Sequence, residues 1–239
     1  MKRERVMENN NIYSYSIIEF NGKKYFKKEL LRVDKEHIDL LNNELHKWNL
    51  LKKYNFIPNI CFFDNEKQHY AIYEYIEGLT LDNYKFNSLQ EKIEILISII
   101  EKLYTMHSLF LVHGDLKPTN IIVTSDKKIY IIDLAITKYI GEINNYGTLK
   151  YCSLEQINKE KVNVGFDIYA LGIIMYELLT NKKVYENMSK EQIIISKKDN
   201  NFILDDDSIP FEIEKIIFKM LDNGYSNLLE IKSDLMTLK

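Results

Sequence analysis

Along the first third of the chain, apolar and polar positions alternate, and then the period lengthens. Ile12–Phe20 and Lys23–Leu30 are β-prone runs on either side of Asn21-Gly22. Both central residues of a type I′ turn need positive φ, so Asn-Gly between two such runs predicts a hairpin. Over residues 35–54, Leu40, Leu41, Leu45, Trp48 and Leu51 recur at three- and four-residue spacing, which predicts a helix. Asp34 can cap it, and Glu44 lies on its apolar side, where a carboxylate needs a partner. Cys61–Asp64 and Tyr70–Tyr75 read as a strand pair, Leu79–Lys85 as a short helix and Ser88–Phe110 as a longer one. Ile121–Thr124 and Lys128–Ile132 suit a second hairpin around Ser125-Asp126-Lys127. Phe166–Thr180 is almost wholly apolar, as a helix buried on all sides should be. Residues 189–198, 211–222 and 226–238 complete the helical pattern, with the acidic loop Asp205–Asp207 and Pro210 between them. Residues 1–11 are polar and read as a flexible N-terminus. Strands dominate early and helices late, so the fold class is α+β.

Composition narrows the function classes. With 239 residues the chain can bury one sizeable core, or two smaller ones flanking a cleft. Hydrophobic content of 46% and charged content of 28% are ordinary for a globular protein. A net charge of −3 gives no footprint for nucleic acid. The N-terminus carries charge but no apolar core of a signal peptide, and no run of 18 apolar residues exists, so no membrane partner is expected. Cys61 and Cys152 lack metal-ligand spacing and read as free thiols in a reducing, cytoplasmic compartment.

The chemistry concentrates in residues 113–120, His-Gly-Asp-Leu-Lys-Pro-Thr-Asn, between the apolar runs Leu109–Val112 and Ile121–Val123. Pro118 stops any helix, so the stretch reads as a loop entering a strand. Asp115, Lys117 and Asn120 lie within six residues, and Asp133 follows at the end of the next run. One acid to orient a hydroxyl, with an Asn and a second acid as oxygen ligands, suits a divalent cation carrying a nucleotide.

This stretch resembles the catalytic loop of eukaryotic-type serine/threonine protein kinases, with Gly114 where the family has Arg. Three further segments resemble the family in order and spacing. They are Ile131-Ile132-Asp133-Leu134-Ala135, Gly147–Gln156 (Gly-Thr-Leu-Lys-Tyr-Cys-Ser-Leu-Glu-Gln) and Asp167–Gly172 (Asp-Ile-Tyr-Ala-Leu-Gly). The resemblance implies a bilobal fold with a small β-rich lobe over about 12–76 and a mainly helical lobe over about 77–239. It implies ATP and Mg²⁺, or Mn²⁺ in its place, as cofactors, and a protein substrate with room for a regulatory protein partner. Asp115 would be the catalytic base. Lys117 would neutralise the moving phosphate, and Asn120 and Asp133 would hold the metal. Lys27, fixed by Glu44 seventeen residues on, would hold the other phosphates. Glu74, Ile76 and Ile122 would complete the nucleotide site. Thr148 would bridge the peptide-docking loop to Asp115 and Lys117, a pairing that fits a serine/threonine acceptor. By position Tyr73 guards the back pocket, and Asp167 would anchor the catalytic-loop backbone.

Five departures from the family pattern are visible. No glycine-rich loop precedes Lys27, since Gly22 belongs to the hairpin. Tyr25 stands two before that lysine, where the family has Ala against adenine. Gly114 replaces the phosphate-reading Arg. Leu134-Ala135 replaces Phe-Gly, stiffening that hinge. Leu154 replaces Pro, and no C-terminal Arg is present to pair with Glu155. The first two departures leave a second reading, a pseudokinase acting by binding. A small-molecule phosphotransferase shares the His-Gly-Asp motif, but Lys117 and the segment 147–156 argue against it.

Overall fold

The computed structural model describes residues 3–9 (backbone only), 12–143, 147–199 and 209–237. In chain order the elements are β1 Arg3–Asn9, β2 Tyr13–Phe20, β3 Lys23–Leu30, α1 Lys35–Leu51, β4 Ile60–Asp64, β5 Tyr70–Glu74 and β6 Gly78–Thr80. They continue as α2 Leu89–Ser108, β7 Leu111–Val112, β8 Ile121–Thr124, β9 Ile129–Ile131 and β10 Lys138–Tyr139. The remainder is helical: α3 Leu154–Ile157, α4 Gly165–Thr180, α5 Lys190–Lys198, α6 Phe211–Leu221 and α7 Leu228–Met236. The chain divides into two compact units, residues 1–78 with 124–135, and residues 79–123 with 136–239. The first is a small β-rich unit with one helix and the second is mainly helical, which is the α+β architecture expected.

The small unit is built on an antiparallel five-stranded sheet in the order β1-β2-β3-β5-β4. Asn21 and Gly22 both have positive φ and set the β2–β3 register at Phe20↔Lys23. Alternate side chains face one side of a strand. The face holding Tyr13 of β2, Leu30 of β3 and Ala71 and Tyr73 of β5 packs against Leu41 of α1. Asp34 caps α1, its carboxylate accepting from the His37 backbone N–H at 3.1 Å. One expectation fails here. Residues 3–9 are not loose but form β1, paired with β2 from Arg3↔Glu19 to Asn9↔Ser14. Their charged sequence conceals the strand because an edge strand tolerates charge, which also blunts edge-to-edge pairing.

In the large unit α4 is buried over Phe166–Glu177, with no polar face, as its sequence requires. Gly172 lets α6 approach: a Cβ there would meet Met220 at 3.1 Å and Leu221 at 3.0 Å. Helices α2, α5, α6 and α7 lie within two residues of their expected ends, whereas the short α3 was not expected. The expected short helix Leu79–Lys85 is absent. The chain leaves β6 at Thr80 in a tight turn, with the Asn83 and Tyr84 N–H groups donating to the Thr80 carbonyl at 2.8 and 2.9 Å. The acidic loop Asp205–Asp207 lies outside the described residues. No helix among the described residues is long and apolar enough to cross a membrane.

Candidate active site

Within the large unit the loop 113–120 is anchored from below by Asp167 in the first turn of α4. Its carboxylate accepts from the N–H of His113 at 2.9 Å and of Gly114 at 3.0 Å, and from the His107 ring at 2.9 Å. Burial works against this charge, but the His107 ring and the loop amides outweigh it and hold the carboxyl below its ordinary value. Gly114 has φ of 78°, a conformation an Arg would adopt only under strain. Pro118 opens a single 3-10 turn, closed by the Asn120 N–H on the Lys117 carbonyl at 2.9 Å.

This loop presents a connected polar cluster. The Asp115 carboxylate accepts from Lys117 Nζ at 2.8 Å and from the Thr148 backbone N–H at 2.7 Å. Lys117 Nζ also reaches Thr148 Oγ1 at 3.1 Å. The Asn120 amide donates to the Asp115 carbonyl at 3.0 Å. Asp115, Lys117, Asn120 and Thr148 are therefore brought together. Gly147 and Gln156 complete the seat. A Cβ at Gly147 would fall 2.5 Å from Cys152 Sγ, so only glycine fits there, and Gln156 donates to the Gly114 carbonyl at 2.6 Å. Ile122 lies half-buried on β8 of the same unit.

The small unit holds a second cluster, and here the sequence assignment needs correcting by one residue. The lysine that meets Glu44 is Lys28, not Lys27. Lys28 Nζ donates to Glu44 at 2.7 Å and to Asp133 at 2.8 Å, with its side chain only 4% exposed. Lys27 lies on the opposite face of β3 and pairs with Glu29 at 2.6 Å. The cause is the strand period: Phe26 and Leu30 pack toward α1, so the residue between them that shares their face is Lys28. Burial would lower the Lys28 pKa, but Asp133 and Glu44 together hold it well above its ordinary value.

Two aromatic residues frame this pair. The Tyr73 hydroxyl donates to Glu44 at 2.7 Å, and Lys28 Nζ sits 4.4 Å from the centre of the Tyr13 ring. Asp133 adopts φ of 65°, unusual for a residue with a side chain and of the kind found at functional sites. Asn43 donates to the Ala135 carbonyl at 2.8 Å, tying this segment to α1. The correction moves a second assignment too. The residue two before the paired lysine is Phe26, stacked on Tyr15 at 5.8 Å, whereas Tyr25 faces the other side of the sheet.

Glu74 closes β5, with its carboxylate accepting from the backbone and side-chain amides of Asn59 at 3.0 and 3.2 Å. Ile76 follows in the irregular stretch before β6. Glu155 has the Asn223 amide as its partner at 2.7 Å in place of an arginine. The sequence assigns no role to Lys28 or His107, and marks Gln156 only as the end of the segment 147–156. For Lys28 the signal was present in the Phe26–Leu30 alternation. Gln156 and His107 act through tertiary contacts that no local pattern announces.

Comparison with known proteins agrees with this geometry. Residues 15–234 match the protein kinase domain family. A probable serine/threonine-protein kinase PknB of Lactococcus lactis is 29% identical over 201 residues, covering 75% of this chain and 32% of the relative. The serine/threonine-protein kinase PknB of Mycobacterium leprae is 26% identical over 188 residues, covering 70% and 30%. A probable serine/threonine-protein kinase of Streptomyces coelicolor is 27% identical over 193 residues, covering 73% and 29%. The chain thus spans about a third of the length of these curated relatives. With the match running from β2 into α7, and both polar clusters on the elements it covers, the chain belongs to the protein kinase domain family.

Proposed function

We propose that this chain transfers the γ-phosphate of ATP to a serine or threonine hydroxyl of a protein. The observation that carries the reading is the triangle of Asp115, Lys117 and Thr148. Phosphoryl transfer needs in-line positioning and neutralised charge rather than covalent help. Two donors fix both oxygens of Asp115, so its carboxylate has one orientation in which to receive a hydroxyl proton. Lys117 brings a positive charge beside it, and its bond to Thr148 links that charge to the segment that would seat the acceptor. Pairing of Lys117 with a threonine supports a serine/threonine acceptor over a tyrosine.

The donor chemistry fits Mg²⁺. Asn120 offers a carbonyl oxygen and Asp133 a partly exposed carboxylate, both hard oxygen ligands. When bound, the ion neutralises charge on the nucleotide phosphates. Lys28, steadied by Glu44, would hold the remaining phosphates. Mn²⁺ meets the same ligands.

A binding-only role is the second reading. No glycine lies between β1 and β2, where the sequence is Asn10-Asn11-Ile12, and Lys28 is already held by two carboxylates. Transfer of labelled γ-phosphate to the chain itself and to a basic protein, with Mg²⁺ and with Mn²⁺, decides between them. Signal in the wild type that falls at least a hundredfold in Asp115→Asn is expected. Absence of transfer, beside stabilisation by nucleotide, supports the binding role.

A further inference from the structure

The segment 147–153 begins at the Asp115 triangle and ends at the cap of α3. Its first half is held by residues already described. Its second half is held by a lysine that no sequence motif marks. Lys197, near the end of α5, is 2% exposed. Its Nζ lies 2.6 Å from the Cys152 carbonyl, 3.2 Å from the Lys150 carbonyl and 3.0 Å from the Tyr169 hydroxyl. The rings of Tyr169 and Tyr185 flank it at 4.5 and 4.6 Å from their centres, and their hydroxyls meet at 3.0 Å. From the other side of the segment, the Tyr151 hydroxyl donates to Glu177 of α4 at 2.9 Å, and Lys183 pairs with the same carboxylate at 2.8 Å. Backbone carbonyls in a loop normally face water. Two of them turned onto one buried amine fix the path of the loop between them.

We propose that Lys197 is a positioning residue for peptide docking, its amine wedged between Tyr169 and Tyr185 to set the backbone of Lys150–Cys152 and so the surface offered to the acceptor. This rests on the reading of the chain as a protein kinase. The Lys197 N–H groups donate to the Cys152 and Lys150 carbonyls and to the Tyr169 hydroxyl oxygen, and the Tyr169 and Tyr185 hydroxyls share a further hydrogen bond. Burial pushes the Lys197 ammonium down to about 7. The groups facing it are Cys152 and Glu155 from the docking segment and α3, Tyr169 from α4, Tyr185, Lys198 from α5 and Asp222 after α6. Burial also holds the Cys152 thiol up, to about 12, so it contributes no charge at neutral pH. An opened segment would return Lys197 to water and to its ordinary pKa near 10.5. Raising the pH through 7 therefore favours the closed segment.

Hydrogen exchange and steady-state kinetics together test this, with Lys197→Met and the milder Tyr169→Phe compared with wild type at pH 8. The Tyr151 and Cys152 amides, both bonded to the Thr148 carbonyl, are expected to exchange at least tenfold faster in Lys197→Met. In Tyr169→Phe the expected change is two- to fivefold, with α2 amides unchanged in both. Peptide KM should rise at least fivefold in Lys197→Met while ATP KM stays within twofold. In the wild type, peptide KM should fall between pH 6 and 8, and in Lys197→Met it should not. Unchanged exchange at Tyr151 and Cys152 in both variants overturns the proposal, as does loosening spread evenly over the large unit. The exchange arm needs no catalysis, so a wild type that transfers no phosphate defeats the kinase reading and leaves the positioning of the segment to be decided on its own.

Discussion

A single residue decides which positive charge the small unit buries. Lys28 is buried against Glu44 and Asp133, while its neighbour Lys27 pairs with Glu29 on the other face. Removing one partner of a buried ion pair leaves the other charge uncompensated, at a cost of about 3–5 kcal/mol. Lys28→Met is expected to strand Glu44, lower stability by an amount in that range and abolish stabilisation by Mg²⁺-ATP. Lys27→Met, which loses a partly exposed pair with Glu29 and a contact over the Tyr70 ring, should change stability by less than about 1 kcal/mol and leave nucleotide binding intact. Urea denaturation and thermal shift with nucleotide read both. Equal loss in the two variants would show that the register of β3 does not select the lysine of the proposed nucleotide site. Tyr73→Phe gives a finer probe. The hydroxyl donates to Glu44, and its loss should weaken nucleotide binding several-fold without unfolding the chain, measurable by titration calorimetry.

At the scale of elements, most of the fold was legible because two periods are written plainly in the sequence. The Asn21-Gly22 turn, the apolar stripe of α1 and the unbroken apolarity of α4 each follow from a local rule. β1 escaped because an edge strand need not look apolar, and Leu79–Lys85 was mistaken for a helix because seven residues carry too little period to tell. The candidate site divides in the same way. Asp115, Lys117 and Asn120 sit within one loop, so spacing alone exposed them. Lys28 was missed by one position because two adjacent lysines lie seventeen and sixteen residues before Glu44, and spacing alone does not choose between them. Only the face selected by Phe26 and Leu30 separates them. Lys197 lies forty-five residues from the carbonyl it holds, and nothing in its own helix distinguishes it from Lys198 beside it.

Over the whole molecule, the same buried lysine leaves a trace in the pH dependence of stability. Its folded pKa of about 7 lies below the ordinary 10.5, so between these values the unfolded chain binds more protons. Stability therefore rises with pH across that window, by up to about 1.4 kcal/mol per pH unit from this one group. Lys28 does not mask the trend, because its raised pKa places its own loss of stability at higher pH. Denaturant midpoints from pH 6.5 to 9 should climb in the wild type and climb less in Lys197→Met. Parallel curves would mean that Lys197 is not buried in a form that sheds its proton.

The two cysteines, which bear no part in the chemistry, make the chain its own reporter. Cys61 is exposed on the edge strand β4 of the small unit, and Cys152 is buried within the segment 147–153 of the large one. A thiol-directed dye therefore marks the small unit alone while the segment stays shut. Its slower uptake at Cys152 becomes a clock for how often Lys197 lets go, readable by mass without any substitution or substrate.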